Sequence, residues 1–241
     1  LDAAIAGSWR DAANVARDQY RHPRETLGFF QLGAGQRVIE ISPSGGWYSE
    51  ILAPYLRDGG HYVAATASAP ADSVGGKRNA ALQAKFAAAP TRYDRVEWLE
   101  YDGKAPVLGA PASADAVLTF RNVHNWVAAG NADVYFRAFF AALKPGGVLG
   151  VVDHRAKPGT DIETMKKSGY LTEALVIGLA TDAGFELDAR SEVNANPKDD
   201  TDHPNGVWTL PPVNRHDAAD DPMYKAIGES DRMTLRFRKP R

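Results

Sequence analysis

The stretch from Val38 to Leu52 limits what this chain can fold into more than any other. Val38-Ile39-Glu40-Ile41 is a short apolar run rich in β-branched residues, the composition of a buried strand. Ser42-Pro43-Ser44-Gly45-Gly46 is a turn of small residues, after which Trp47, Tyr48, Ile51 and Leu52 resume at helical spacing. Strand, tight loop and helix in that order form the opening unit of an open α/β sheet. The loop at the carboxyl end of the first strand is where such sheets hold nucleotide-like ligands. The first amides of the following helix have no partner within it and favour a carboxylate or phosphate. Glu40, at the strand's end, can accept hydrogen bonds from sugar hydroxyls or from the loop itself. Glu40, Gly45, Gly46 and Trp47 are therefore expected against a ligand. A purely structural turn, with Glu40 bonded to loop amides, is the alternative.

The rest of the chain continues the alternation. Strands are expected at 61–66, 95–101, 114–120, 148–153, 185–193 and 232–238, and helices at 77–89, 130–143 and 170–183. Residues 1–30 read as amphipathic helix, interrupted at His22-Pro23 because the residue before a proline is pushed out of the helical region. This pattern argues for an α/β fold with a seven-stranded, mostly parallel sheet and helices on both faces. No helical pattern separates the last two strands, so the final strand is expected to be antiparallel. Their connection, 194–231, then leaves from the sheet edge that carries the opening loop, where so long a segment is expected to serve as a lid. The expected organisation is an N-terminal helical extension over 1–35 and one domain over 36–241. The polar string Arg17, Tyr20, Arg21 and His22 either caps the ligand site or forms a solvated face.

Composition removes several function classes. A net charge of −2 lacks the basic excess of a nucleic-acid binder, and no apolar run reaches the length of a bilayer span, so neither nucleic acid nor membrane insertion is expected. The absence of cysteine excludes disulfides, thiolate metal sites and cysteine nucleophiles. His124, Asp153, His154 and His203 could gather a divalent metal at one sheet edge, although none stands at paired ligand spacing.

The order of these units resembles the class I S-adenosylmethionine-dependent methyltransferases, over about residues 36–193 and the last strand. The unit at 38–52 matches the family's first motif. Leu143-Lys144-Pro145-Gly146-Gly147 matches the motif before its fifth strand, and Asp115-Ala116-Val117-Leu118 with Asn122, His124 and Trp126 matches the fourth strand and its edge. More narrowly, Pro43-Ser44-Gly45-Gly46-Trp47-Tyr48 and the segments 121–126, 153–155 and 228–233 resemble a group of bacterial predicted methyltransferases. The resemblance implies a Rossmann-like methyltransferase fold, S-adenosylmethionine as cofactor and methyl transfer to a small-molecule acceptor. It places Asn122 and His124 near the cofactor's methionine part and the substrate, and Asp102 at the adenine. Methyl transfer is an in-line displacement in which the protein mainly aligns donor and acceptor, and a base helps when the acceptor is a hydroxyl or amine. His124 and His154, with Asp153, are the base candidates; a buried, satisfied histidine is the alternative for each. Members of that group often carry a signal peptide, so export to the periplasm is expected, with a cytoplasmic location as the alternative.

The chain departs from the family's loop, acid-x-Gly-x-Gly-x-Gly, at two positions. Ser42 and Ser44 stand where the first two glycines belong, and a serine in the left-handed conformation costs roughly 1–2 kcal/mol. Pro43 is expected to push Ser42 towards an extended conformation. After the second strand, where the family carries an acid for the ribose hydroxyls, this chain has Thr66, Ala67 and Ser68, which leaves Thr66 in the cofactor set. These departures motivate a second expectation: a methyltransferase-like protein that has lost the reaction and binds another small ligand.

Overall fold

The computed structural model describes residues 1–241. Seven strands form one sheet: β1 (Arg37–Ile41), β2 (His61–Ala67), β3 (Glu97–Tyr101), β4 (Ala114–Phe120), β5 (Leu143–His154), β6 (Glu186–Ser191) and β7 (Arg232–Arg238). Their spatial order is β3-β2-β1-β4-β5-β7-β6. β1 to β5 pair in parallel, and β7 lies antiparallel between β5 and β6. The α/β architecture and the antiparallel last strand are those expected from the sequence.

The strands are apolar on alternate residues of both faces, and each face is covered. On one side Ile39, Ile41, Val63, Ala65, Val117, Leu149 and Val151 pack with Tyr135, Phe136 and Phe139 of the helix Ala132–Ala142. On the other, Val38, Ala64, Ala116, Leu118 and Val152 pack with Ile51, Leu52 and Leu56 of the helix Ser49–Leu56 and with Leu27 and Phe30 from the N-terminal segment. Gly150 is tight by necessity: a Cβ there would come within 2.8 Å of both Leu118 and Phe30. Parallel strands with covering helices put the carboxyl ends of β1, β2, β4 and β5 on one edge, and the antiparallel β7 begins at that same edge.

Two segments differ from expectation. The N-terminal 30 residues form four short helices, Asp2–Ile5, Ala12–Val15, Asp18–Arg21 and Pro23–Phe29. The break at His22-Pro23 is where expected, with His22 at φ +42°. The earlier break arises because Trp9 folds back over Gly7 and donates through Nε1 to the Glu50 carbonyl, while the Asp11 side chain starts a new helix by accepting from the Ala13 amide. Second, 194–231 is not featureless. It contains two 3-10 turns and the helix Asp221–Ile227. Its beginning is pinned by Asn194 Nδ2, which donates to Thr26 Oγ1 and Thr234 Oγ1. Two further helices, Val123–Ala129 and Ile162–Ser168, follow β4 and β5; the second is capped by Asp161, an ordinary signal that the hydrophobic pattern alone does not reveal. No helix is long and apolar enough to cross a membrane.

One ionic knot joins the N-terminal helices, the end of 194–231 and the sheet. Buried Glu229 accepts from Arg17 Nε at 2.6 Å, Arg21 Nε at 3.1 Å and Arg232 Nη2 at 2.8 Å. Burial alone would raise its pKa, but the charges of Arg232, Arg21, Arg17 and Arg121 outweigh that and hold the carboxyl at about 2. A carboxyl depressed in the folded state adds stability above its unfolded pKa, near 4.5, and loses it as pH falls towards 2. Removing one partner of a buried pair leaves uncompensated charge. Glu229→Gln is therefore expected to lower unfolding free energy at pH 7 by about 3 kcal/mol in urea titrations, with the gap to wild type closing below pH 4.

Candidate functional site

The carboxyl edge of the sheet opens into a cavity of about 810 Å3, a size typical of small-molecule sites. The loop after β1 forms its floor, the N-terminal segment and the end of β4 its walls, and residues of 194–231 part of its rim.

The loop keeps the backbone shape that glycines would give. Ser42 has φ +49°, Ser44 φ +57° and Gly46 φ +80°. The expectation that Pro43 would hold Ser42 extended is therefore corrected. Two contacts hold Ser42 in place: its amide donates to the Ala65 carbonyl at 2.7 Å, and its hydroxyl shares a hydrogen bond with Tyr101 OH at 3.1 Å. Gly46 is tighter: at φ +80° a Cβ there would lie 2.5 Å from Leu82 Cδ1, so a side chain would require Leu82 to move. Gly45 faces open space, and the amides of Ser44, Gly45 and Trp47 make no backbone hydrogen bond. Neither serine side chain closes the cavity: Ser42 turns to Tyr101 and Ser44 is exposed.

Glu40 lines the cavity and is 3% exposed. Its Oε2 accepts from Ser49 Oγ at 2.8 Å and Tyr62 OH at 2.6 Å, while Oε1 has no partner in the protein. Burial raises its pKa to about 7 against the lowering effect of those two hydroxyls. Trp47 is fixed by its Nε1, which donates to the Asn14 carbonyl at 2.8 Å, and the guanidinium carbons of Arg10 and Arg21 lie 5.2 and 4.9 Å from its ring centre.

At the end of β4, Asn122 Nδ2 donates to the Ile41 carbonyl at 3.0 Å, tying this strand end to the loop of β1. His124 lines the cavity with its Nδ1 held 2.9 Å from Asp153 Oδ1; Asp153 is fully buried and also accepts from the His124 amide. A carboxylate on Nδ1 places the ring proton there and leaves the Nε2 lone pair without a protein partner. His154 is placed differently. It lies outside the cavity lining, its Nδ1 donates to Ser230 Oγ at 2.5 Å, and its Nε2 accepts from Arg121 Nε at 3.4 Å. Burial, then the charges of Arg121, His124 and Arg232, keep it neutral with a pKa well below 6.5. With both nitrogens engaged it offers no base. Of the four residues expected to be able to gather a metal, His124, Asp153 and His154 do come together, with one ligand atom of each within 4.8 Å of the others.

The expected residues thus divide. Glu40, Ser42, Ser44, Gly45, Trp47, Asn122 and His124 line one cavity, with Asp153 behind His124. Gly46 shapes the loop from beneath. Thr66 is buried outside the lining, and Asp102 is exposed past the end of β3, where its Oδ1 accepts from the Lys104 amide as a turn cap. His203 does not join His124. It pairs with Asp199 at 2.8 Å within 194–231.

Arginines dominate the cavity's electrostatics; of these the sequence pointed to Arg17 and Arg21 as candidate caps of the site and gave no role to the other four. Arg17, Arg21, Arg78, Arg121, Arg215 and Arg232 line it, against the single carboxylate of Glu40. Burial lowers the pKa of Arg21 to about 9 and of Arg121 to about 10, with repulsion from neighbouring guanidiniums, Arg232 and Arg17 among them, adding to the effect. The signal was positional: Arg121 directly follows β4 and Arg232 opens an antiparallel strand, so both are delivered to the same edge.

No protein-family model matches the sequence, and no curated protein does so either. Solved structures share its fold. A SAM-dependent methyltransferase from Aquifex aeolicus is 18% identical, with TM-score 0.59 over 74% of this chain and 87% of that one. A putative methyltransferase from Bacillus halodurans is 14% identical, with TM-score 0.60 over 92% of this chain and 100% of that one. The cyclase SpnF is 18% identical, with TM-score 0.62 over 91% of this chain and 80% of that one. The fold is the Rossmann-like methyltransferase fold, and it does not by itself fix the reaction.

Three substitutions check the site's energetics. Ser44→Gly relieves left-handed strain and is expected to raise stability by about 0.5–1 kcal/mol in thermal denaturation. Ser42→Gly loses the Tyr101 hydrogen bond as well and is expected to change stability by less than about 0.5 kcal/mol. For Glu40 the folded pKa of about 7 lies above the unfolded value near 4.5, so its contribution is complete below pH 4.5 and is lost as pH rises through 7. Glu40→Gln is accordingly expected to gain on wild type by about 2.5 kcal/mol between pH 5 and pH 8.

Proposed function

We propose that the cavity binds S-adenosylmethionine and that the protein transfers its methyl group to a small-molecule acceptor. The observation that carries this reading is the loop after β1: despite two serines it keeps left-handed backbone at alternate positions and opens onto about 810 Å3 of space. Its free amides at Ser44, Gly45 and Trp47, with Glu40 Oε1 beside them, would hold the cofactor. When bound, the cofactor supplies an electrophilic methyl carbon on a sulfonium.

The chain's own residues then do three things. The loop and Asn122 fix the relative position of β1 and β4, on which alignment of donor and acceptor depends. Nε2 of His124 takes the proton released by a hydroxyl or amine acceptor, and Asp153 holds the ring in the required tautomer. Trp208, whose ring centre lies 6.1 Å from that of His124, and Pro212 and Val213 cover the site as part of a lid formed by 194–231.

A second reading, a methyltransferase-like protein that binds another ligand, is favoured by one observation. β2 ends without a carboxylate facing the cavity; Ala67 and Ala69 line it instead, and Ser68 Oγ donates to Glu100.

Gly45 separates the readings. Its position accepts a side chain without a clash, yet the side chain would enter the cavity. Calorimetric titration of wild type with S-adenosylmethionine is expected to give heat of binding below millimolar ligand. Gly45→Leu is expected to weaken it at least tenfold, about 1.4 kcal/mol, with little change in melting temperature. No heat with wild type up to millimolar ligand excludes methyl transfer.

A further inference from the structure

We propose that the acceptor carries a phosphate ester, held by Arg17, Arg21, Arg121 and Arg232 at the wall of the cavity. This rests on the methyl-transfer reading for the word acceptor, and on the side chains alone for the anion.

The four guanidiniums come from three places: the N-terminal helices, the residue after β4 and the first residue of β7. Glu229 serves three of them at 2.6–3.1 Å. Arg121 has no carboxylate of its own. Its Nε reaches only the neutral His154, and its two terminal nitrogens meet no protein acceptor. Arg21, 5% exposed, and Arg17 each have an Nη2 buried with no hydrogen-bond partner. Against these four cations stand Glu229 and, behind His124, Asp153. Even counting both, two of these four positive charges remain uncompensated, with unfilled donors among them, and the lining's other carboxylate, Glu40, is outnumbered by the further arginines Arg78 and Arg215. Buried donors left unsatisfied are costly, and buried charges are ordinarily paired.

The cofactor cannot supply the missing charge. Its methionine carboxylate is offset by its ammonium, and its sulfonium adds one more positive charge. A monoanionic acceptor would also leave the cavity cationic. A phosphate monoester brings up to two negative charges and three acceptor oxygens, which planar guanidinium forks match. It also brings donor and acceptor together with opposite charge, so the two bind cooperatively.

The test is calorimetry on the full chain with inorganic phosphate as probe, at ionic strength held constant with sodium chloride, alone and with S-adenosylhomocysteine or S-adenosylmethionine. The expected result is saturable phosphate binding that tightens S-adenosylmethionine severalfold and the uncharged-sulfur product less. Arg121→Gln leaves Glu229 fully paired and is expected to weaken phosphate at least tenfold; Arg21→Gln is the second variant. Three results overturn the inference: no phosphate binding to wild type beyond the chloride control, equal binding of succinate, or displacement of phosphate by S-adenosylhomocysteine, which would assign the arginines to the donor's carboxylate. Phosphate binding without any donor binding supports the anion site and overturns methyl transfer instead.

Discussion

A single buried carboxylate organises this molecule. Glu229 draws Arg17 and Arg21 from the N-terminal helices and Arg232 from β7 to one point, and so fixes three pieces of chain that share no secondary structure. The cavity wall exists because those pieces meet there. The same arrangement concentrates positive charge, since one carboxylate cannot neutralise all the guanidiniums it gathers. Structure and electrostatics at this edge have one cause.

The other side of the cavity rests on backbone geometry. Left-handed serines are tolerated after β1 because each is held or left free: Ser42 by Tyr101 and the Ala65 carbonyl, Ser44 by its exposure. At Gly46 a side chain meets both the left-handed backbone, at φ +80°, and the buried end of Leu82. Between loop and arginines lies a chain of polarised contacts, Asp153 to His124 on one branch and Ser230 to His154 to Arg121 on the other. The two histidines lie 5.0 Å apart ring to ring, yet only one presents a free nitrogen. Their roles separate because one is bonded to an acid and the other sits beside a guanidinium.

Periodicity made the sheet legible from sequence. Strand composition, the loop at 42–46 and the helix stops identified all seven strands and the antiparallel end. The strand-end residues Glu40, Asn122, His124 and Asp153 were legible for the same reason, because a residue's place at a strand end fixes the sheet edge on which it lies. What stayed hidden depends on tertiary contact. His124 and His154 are both buried, and only the partners of each, Asp153 for one and Ser230 and Arg121 for the other, decide that one ring is spent. Asp102 and Thr66 occupied the expected places in sequence, but a turn cap and a packed side chain took them away from the cavity. Trp9 folding onto Gly7 broke a helix that the apolar pattern would have continued.

The position of β7 has a consequence for how this protein is made. The seventh strand in chain order is not an edge strand; it sits inside the sheet, between β5 and β6. Until it arrives, β6 has no neighbour and β5 has one open side. Arg232, which completes the ionic knot, arrives with it. On a ribosome, the N-terminal helices, β1 to β5 and their helices emerge early but cannot close the ligand cavity. Assembly of the site therefore waits for Arg232 and β7, and a nascent chain stalled before Arg232 carries an open strand edge and an unfinished cluster of arginines.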